Sequence, residues 1–232
     1  MAFVFDPTPT PQIAVQGSEL NFPVHRIYCV GQNYSDHVKE MGGDPKSSPP
    51  VFFSKPADAI VTDNAAVPYA SATDNLHYEV ELVIALGGGG RNIEPLKAAS
   101  RIYGYAVGID FTRRDLQAAA KAKGKPWDTA KGFDASAPIS KIQPSENGGL
   151  EDGRIWLAVN GETKQDARLS DMIWTVTEII VELSRYYELK AGDLIFTGTP
   201  AGVSAIGVGD RIAAAVENVG EIEFEITAGS TN

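Results

Sequence analysis

Apolar and polar residues alternate most regularly near the end of the chain, where Glu221, Glu223 and Glu225 interleave with Ile222, Phe224 and Ile226. Period two predicts a strand with one wet and one dry face. Shorter β-type runs are predicted over residues 27–30, 51–55, 59–62 and 103–109, and a longer one over 75–86, closed by the glycines at 87–90. That glycine run lacks the following Lys-Ser/Thr of a phosphate loop and reads as a flexible hairpin turn. Residues 154–159 and 162–165 flank Asn160-Gly161, a two-residue hairpin signal.

Helical spacing is rarer. Ile173, Val176, Ile180, Leu183 and Tyr187 recur three or four apart and predict an amphipathic helix over 170–189. Thr112 and Asp115 have capping-box spacing and predict a helix running to about Lys123, stopped by Gly124. Asn33 or Ser35 is expected to cap a short helix through Glu40. Many short strands, about three helices and no regular strand–helix alternation give an α+β fold that is mainly β. Pro7, Pro9 and Pro11 mark residues 1–23 as an extended arm, with residues 24–232 as the single folded domain.

Composition narrows the function classes. The chain has 232 residues, 43% hydrophobic, enough for one substantial core. Its net charge of −10 disfavours nucleic acid and anionic membranes as partners. No apolar stretch approaches the roughly 20 residues of a membrane span. One cysteine, Cys29, and no Lys or Arg in the first 25 residues lead to the expectation of a cytoplasmic protein.

Glu79 and Glu81 lie two apart in a segment that continues as an apolar run, so both side chains are expected on one face of a strand. They are either solvated at a strand edge or compensated by a cation. Asp110, at the end of an uncharged apolar strand, would supply a third carboxylate, and three oxygen ligands suit Mg²⁺ or Mn²⁺ better than zinc. His37 and Glu40, three apart, form either an oriented general base or an incidental surface pair. Cys29, mid-strand, reads as a small buried hydrophobe. Residues 113–131 hold six cations against two acids, a seat for an anionic substrate or a solvated helix face, and Arg114 and Gln117 share one side of it.

These segments resemble the fumarylacetoacetate hydrolase family. The matching text includes Tyr28-Cys29-Val30-Gly31-Gln32-Asn33-Tyr34, Phe53-Ser54-Lys55-Pro56, His77-Tyr78-Glu79-Val80-Glu81 and Gly108-Ile109-Asp110-Phe111-Thr112-Arg113-Arg114-Asp115. It continues in Ala130-Lys131-Gly132-Phe133 and Gly198-Thr199-Pro200-Ala201-Gly202. The resemblance implies a mixed β-sandwich roll with a few flanking helices, assembled as a homodimer. It implies Glu79, Glu81 and Asp110 as ligands for Mg²⁺ or Mn²⁺, and His37 with Glu40 as a water-activating dyad on a lid. Gln117 and Lys131 would hold substrate and stabilise an oxyanion, with Arg114, Thr199 and Lys55 as further substrate contacts. The implied reaction is metal-dependent hydrolysis of a carbon–carbon bond in a small anionic 2,4-dioxo acid, an acylpyruvate such as fumarylpyruvate, in gentisate-type aromatic catabolism. Oxaloacetate decarboxylation or 2-hydroxymuconate-type isomerisation on the same site is the alternative, and a non-catalytic oxoacid-binding protein a third. Relatives usually carry Arg where Gln32 stands, which leaves the acyl group open.

Overall fold

The computed structural model describes residues 3–35, 49–146 and 148–229. The helix expected through Glu40, with His37 on it, lies outside the described residues beyond Ser35. Along the chain run β1 (Gln12–Ala14), β2 (Asn21–Pro23), β3 (Ile27–Gly31), β4 (Val51–Lys55), β5 (Ile60–Val61), β6 (Val67–Pro68), β7 (Leu76–His77) and β8 (Val80–Leu86). Helix α1 (Pro95–Ala98) precedes β9 (Ile102–Ile109) and β10 (Thr112–Arg113), which lead into α2 (Arg114–Ala122) and α3 (Asp128–Lys131). Then come β11 (Ala137–Pro138), β12 (Gln143–Pro144), β13 (Arg154–Val159), β14 (Glu162–Arg168), α4 (Val176–Tyr186), β15 (Leu194–Phe196), β16 (Arg211–Val216) and β17 (Gly220–Thr227).

Two sheets dominate, one of six strands in the order β12-β9-β8-β15-β3-β4 and one of five in the order β14-β13-β16-β17-β6. The α+β, mainly β class expected from the pattern is the class found. One face of the six-stranded sheet, with Leu82, Ile84, Val107 and Ile109, packs on Ile155, Leu157, Ile212 and Phe224 of the five-stranded sheet. Its other face, with Cys29, Val83, Ala85, Ala106 and Phe196, is covered by Ile13, Val15, Phe22 and Val24 around the β1–β2 hairpin. A sheet covered on both faces requires strands apolar on both sides, which is why all seven residues of β8 are buried. β17 borders water on one side, so Ile222, Phe224 and Ile226 are buried while Glu221, Glu223 and Glu225 are exposed, as their alternation predicts.

The strand expected over 75–86 is interrupted at Tyr78-Glu79: β7 pairs with β10, and β8 with β9. Two partners pull one segment in different directions. Thr112, expected as a helix cap, lies in β10; α2 begins at Arg114 without a side-chain cap, and the Thr112 hydroxyl donates to Glu79 instead. The helix expected over 170–189 is confined to Val176–Tyr186, because Thr175 and Glu178 form a capping box that starts it there. In the 59–62 run only Ile60–Val61 is strand. The β13–β14 hairpin turns on Asn160 (φ 52°) and Gly161 (φ 82°), both left-handed as a type I′ turn requires. Among the described residues no helix is long and apolar enough to cross a membrane.

Residues 87–90 do not form a tight hairpin, since β8 and β9 are joined through α1. The glycines are needed for close approach: a Cβ on Gly89 would lie 1.8 Å from the carbonyl oxygen of Leu189, whereas one on Gly88 would meet only the Arg101 side chain at 3.5 Å. Gly89→Ala is therefore expected to cost about 1–3 kcal/mol, a loss of several degrees in Tm, with Gly88→Ala near neutral. Thermal denaturation of the two variants checks this, and equal Tm values would refute the close-packing role.

Candidate active site

Antiparallel register brings the carboxylates together. Glu81 stands opposite Gly108 in the β8–β9 ladder, and the Asp110 N–H donates to the Glu79 carbonyl at 2.8 Å, continuing the pairing past the strand end. Glu79, Glu81 and Asp110 therefore share a face, with an oxygen of each within 4.8 Å of the others, and all three are buried.

Cations from separate elements meet this cluster. The Lys131 ammonium of α3 donates to Glu79 at 2.8 Å and to Asp110 at 2.6 Å. Lys55 of β4 places its ammonium 2.8 Å from Asp110 Oδ1, but its hydrogen bonds are directed to the Phe111 and Lys131 carbonyls, leaving Oδ1 without one. Arg114 of α2 donates to Glu79. Burial opposes the charge on Lys131, yet Asp110 and Glu79 outweigh it and raise its pKa. Lys131 is a fixed cation with one of three N–H groups left to donate.

Glu81 differs from its neighbours. It is 1% exposed, accepts the Gly198 N–H at 2.7 Å, and forms no ion pair with a cationic side chain among the described residues. Burial, then the charges of Asp110 and Glu79, push its pKa well up. A dry carboxylate of this kind fits a divalent cation as its missing counter-charge. The all-oxygen donor set suits Mg²⁺ or Mn²⁺.

The other expected residues divide. Gln117, buried on α2, accepts from Arg114 at 2.6 Å through Oε1, which leaves its amide NH₂ as the donating end. Glu79, Glu81, Arg114, Gln117, Lys131 and Thr199 line one cavity, together with Gly31, Gln32, Phe53, Lys121 and Trp127. Arg114 is committed to Glu79, Gln117 and His77, and Lys55 to Asp110 and two carbonyls. Cys29 is fully buried, and burial pushes its thiol pKa up, consistent with a packing role. His37 and Glu40 lie outside the described residues.

Supporting groups were not evident from sequence patterning. Fully buried Gln165 donates to Thr199 and to the Pro200 carbonyl, both at 2.8 Å, and accepts the Val80 N–H at 3.0 Å, tying β14 to the segment after β15. Nothing in its strand marks it, since it lies among polar residues. Asn33 donates to the Thr197 and Trp174 carbonyls and accepts the Trp174 N–H. His77 bonds Asn75 through Nε2 and Arg114 through Nδ1, an arrangement that needs a neutral ring. Burial and Arg114 lower its pKa to about 4.

The sequence matches the family described as fumarylacetoacetate (FAA) hydrolase C-terminal over residues 26–227. It is 46% identical over 175 residues to a fumarylpyruvate hydrolase of a Ralstonia species, covering 75% of this chain and 91% of that protein. It is 41% identical over 203 residues to the mitochondrial oxaloacetate tautomerase of Rattus norvegicus, covering 86% and 90%. The fold matches the crystal structure of fumarylpyruvate hydrolase from Pseudomonas aeruginosa in complex with Mn²⁺ and pyruvate with a TM-score of 0.95 and 45% identity, covering 98% of this chain and all of that one.

Two outcomes are expected of this site. Glu81→Gln should weaken Mn²⁺ binding roughly tenfold or more by calorimetry without lowering the Tm of metal-free protein, because it removes a buried charge and keeps the shape; unaltered affinity would exclude Glu81 as a ligand. His77 titrates near 4 in the folded chain and near 6.5 unfolded, so the unfolded state takes the proton first as pH falls. Stability should thus decline from pH 6.5 to about 4, and His77→Gln should lack that part of the decline in denaturation profiles.

Proposed function

The chain belongs to the fumarylacetoacetate hydrolase family and is a carbon–carbon bond hydrolase, and from that premise we propose that it cleaves an acylpyruvate, fumarylpyruvate being the type substrate, to pyruvate and a carboxylic acid. The observation that carries the reading is a cluster of three buried carboxylates, two of which, Glu79 and Glu81, line one cavity with a fixed ammonium that has a donor to spare and an amide whose oxygen is taken by Arg114.

Glu79, Glu81 and Asp110 would hold a divalent ion, which when bound would supply Lewis acidity favouring departure of pyruvate as its enolate. The chain's own groups do the rest. His37, oriented by Glu40 in the roles the family resemblance gives them, takes a proton from the attacking water. Lys131 and Gln117 donate to the oxygen of the attacked carbonyl as negative charge develops there, each donor contributing a few kcal/mol. Arg114 holds the Gln117 amide in its donating orientation and neutralises Glu79. Lys55 offsets the charge of Asp110 from within the protein. Thr199, fixed by Gln165, presents a hydroxyl to the cavity wall.

A second reading, enolate chemistry on oxaloacetate at the same residues, is supported by the 41% identity to the rat oxaloacetate tautomerase. It requires proton transfer without water attack.

Fumarylpyruvate, acetylpyruvate and oxaloacetate supplied with Mg²⁺ or Mn²⁺ separate the two, with pyruvate followed by a coupled assay and oxaloacetate keto–enol conversion by ultraviolet absorbance. Release of pyruvate and fumarate from fumarylpyruvate is expected; oxaloacetate turnover with no acylpyruvate cleavage would overturn the proposal. Gln117→Leu should lower kcat on the acylpyruvate by about 10²-fold, the effect of losing one oxyanion donor, while Mn²⁺ affinity stays within a factor of a few.

A further inference from the structure

We propose that Lys121 recognises a second carboxylate at the acyl end of the substrate, so that the enzyme selects acylpyruvates with a dicarboxylic acyl group over those with a neutral tail. This deepens the acylpyruvate reading and rests on it. Arg114, Gln117 and Lys121 stand at i, i+3 and i+7 of α2, share one face of the helix and line the same cavity. They form a ladder leading away from the carboxylate cluster: Arg114 bonds Glu79, Gln117 offers its amide, and Lys121 follows one turn further on.

The spacing fits such a substrate. One turn from Gln117 to Lys121 advances about 6 Å along the helix axis. In an acylpyruvate with a four-carbon dicarboxylic acyl group, the far carboxyl carbon is three bonds from the cleaved carbonyl, roughly 4 Å at about 1.5 Å per bond with bond angles included. A charge-assisted hydrogen bond of about 2.8 Å closes the remainder. With the cleaved carbonyl at Gln117, the far carboxylate comes within reach of Lys121, while a methyl in that place would meet nothing of opposite charge.

The ammonium is also available. Arg114, Lys131 and Lys55 are committed to Glu79 and Asp110, and surface cations such as Arg154 and Arg168 have their own acids. Lys121 forms no ion pair among the described residues. Its Nζ is 5.0 Å from the centre of the Trp127 ring, which packs at a tilt of 58° against Phe53, so the ammonium is held to the cavity wall. Although the residue is exposed, partial burial of its ammonium and, next, the Arg114 charge lower its pKa, and an incoming anion would offset both.

The test compares kcat/KM for fumarylpyruvate and acetylpyruvate in wild type, Lys121→Met and Lys121→Arg, each with Mn²⁺. In Lys121→Met the ratio of fumarylpyruvate to acetylpyruvate is expected to fall about tenfold or more, the scale of one charge-assisted contact, mainly through KM for fumarylpyruvate. Lys121→Arg should restore much of the ratio. An unchanged ratio in Lys121→Met, including an equal loss on both substrates, overturns the Lys121 assignment alone. A wild type that cleaves neither substrate overturns the acylpyruvate reading beneath it.

Discussion

Three carboxylates placed on one face of a sheet that is apolar on both sides form the constraint on which the rest of this structure depends. Like charges gathered in a dry environment repel each other and lose hydration, and the fold answers with cations drawn from three separate elements. Lys55 comes from β4, Arg114 from α2 and Lys131 from α3. Removing one partner of a buried pair typically costs about 3–5 kcal/mol, so the segments that carry these cations are tied to the carboxylates as firmly as apolar packing ties the sheets. Glu81, which the protein leaves without an ion pair among the described residues, is the point where that compensation stops short and where the proposed metal would complete it.

The same charges organise the donors. Because Lys131 spends two N–H groups on Glu79 and Asp110, its third is directional and its charge is fixed. Because Arg114 spans Glu79 and Gln117, the side chain that neutralises a carboxylate also takes the oxygen of the amide and leaves its NH₂ to donate. Neutral His77, anchored on Asn75, steadies Arg114 in turn. Gln32, in the left-handed region at φ 62° just after β3, lines the same cavity. Charge compensation and the preorganisation proposed for catalysis share one network.

How much of this was legible in the sequence depended on the range of the interaction. The Glu221–Ile226 alternation and the Asn160-Gly161 turn are local and appear as expected. The carboxylate cluster was legible because Glu79 and Glu81 have strand spacing and Asp110 ends an uncharged strand. Elements whose form is set by a distant partner were not. The 75–86 strand breaks because β10 competes for its first half, and Thr112 exchanges a capping role for a bond to Glu79. The Gly87–Gly90 run, read as a turn, includes a close approach to Leu189 about a hundred positions away. Gln165 looked like any polar strand residue, since only the fold reveals that it is dry. Residues 113–131 were read as an anion seat or a solvated face, and Lys121 is both exposed and on the cavity wall beside Trp127.

Whether Glu79, Glu81 and Asp110 together hold the ion on which catalysis depends is decided by anomalous diffraction above the manganese edge, from crystals of this protein grown with Mn²⁺ and pyruvate. One strong peak bonded to an oxygen of each of the three carboxylates is expected, at about 2.1–2.2 Å, the range for a hard divalent cation of this size. A peak bonded elsewhere, or none at this cluster while the enzyme turns over, would contradict it.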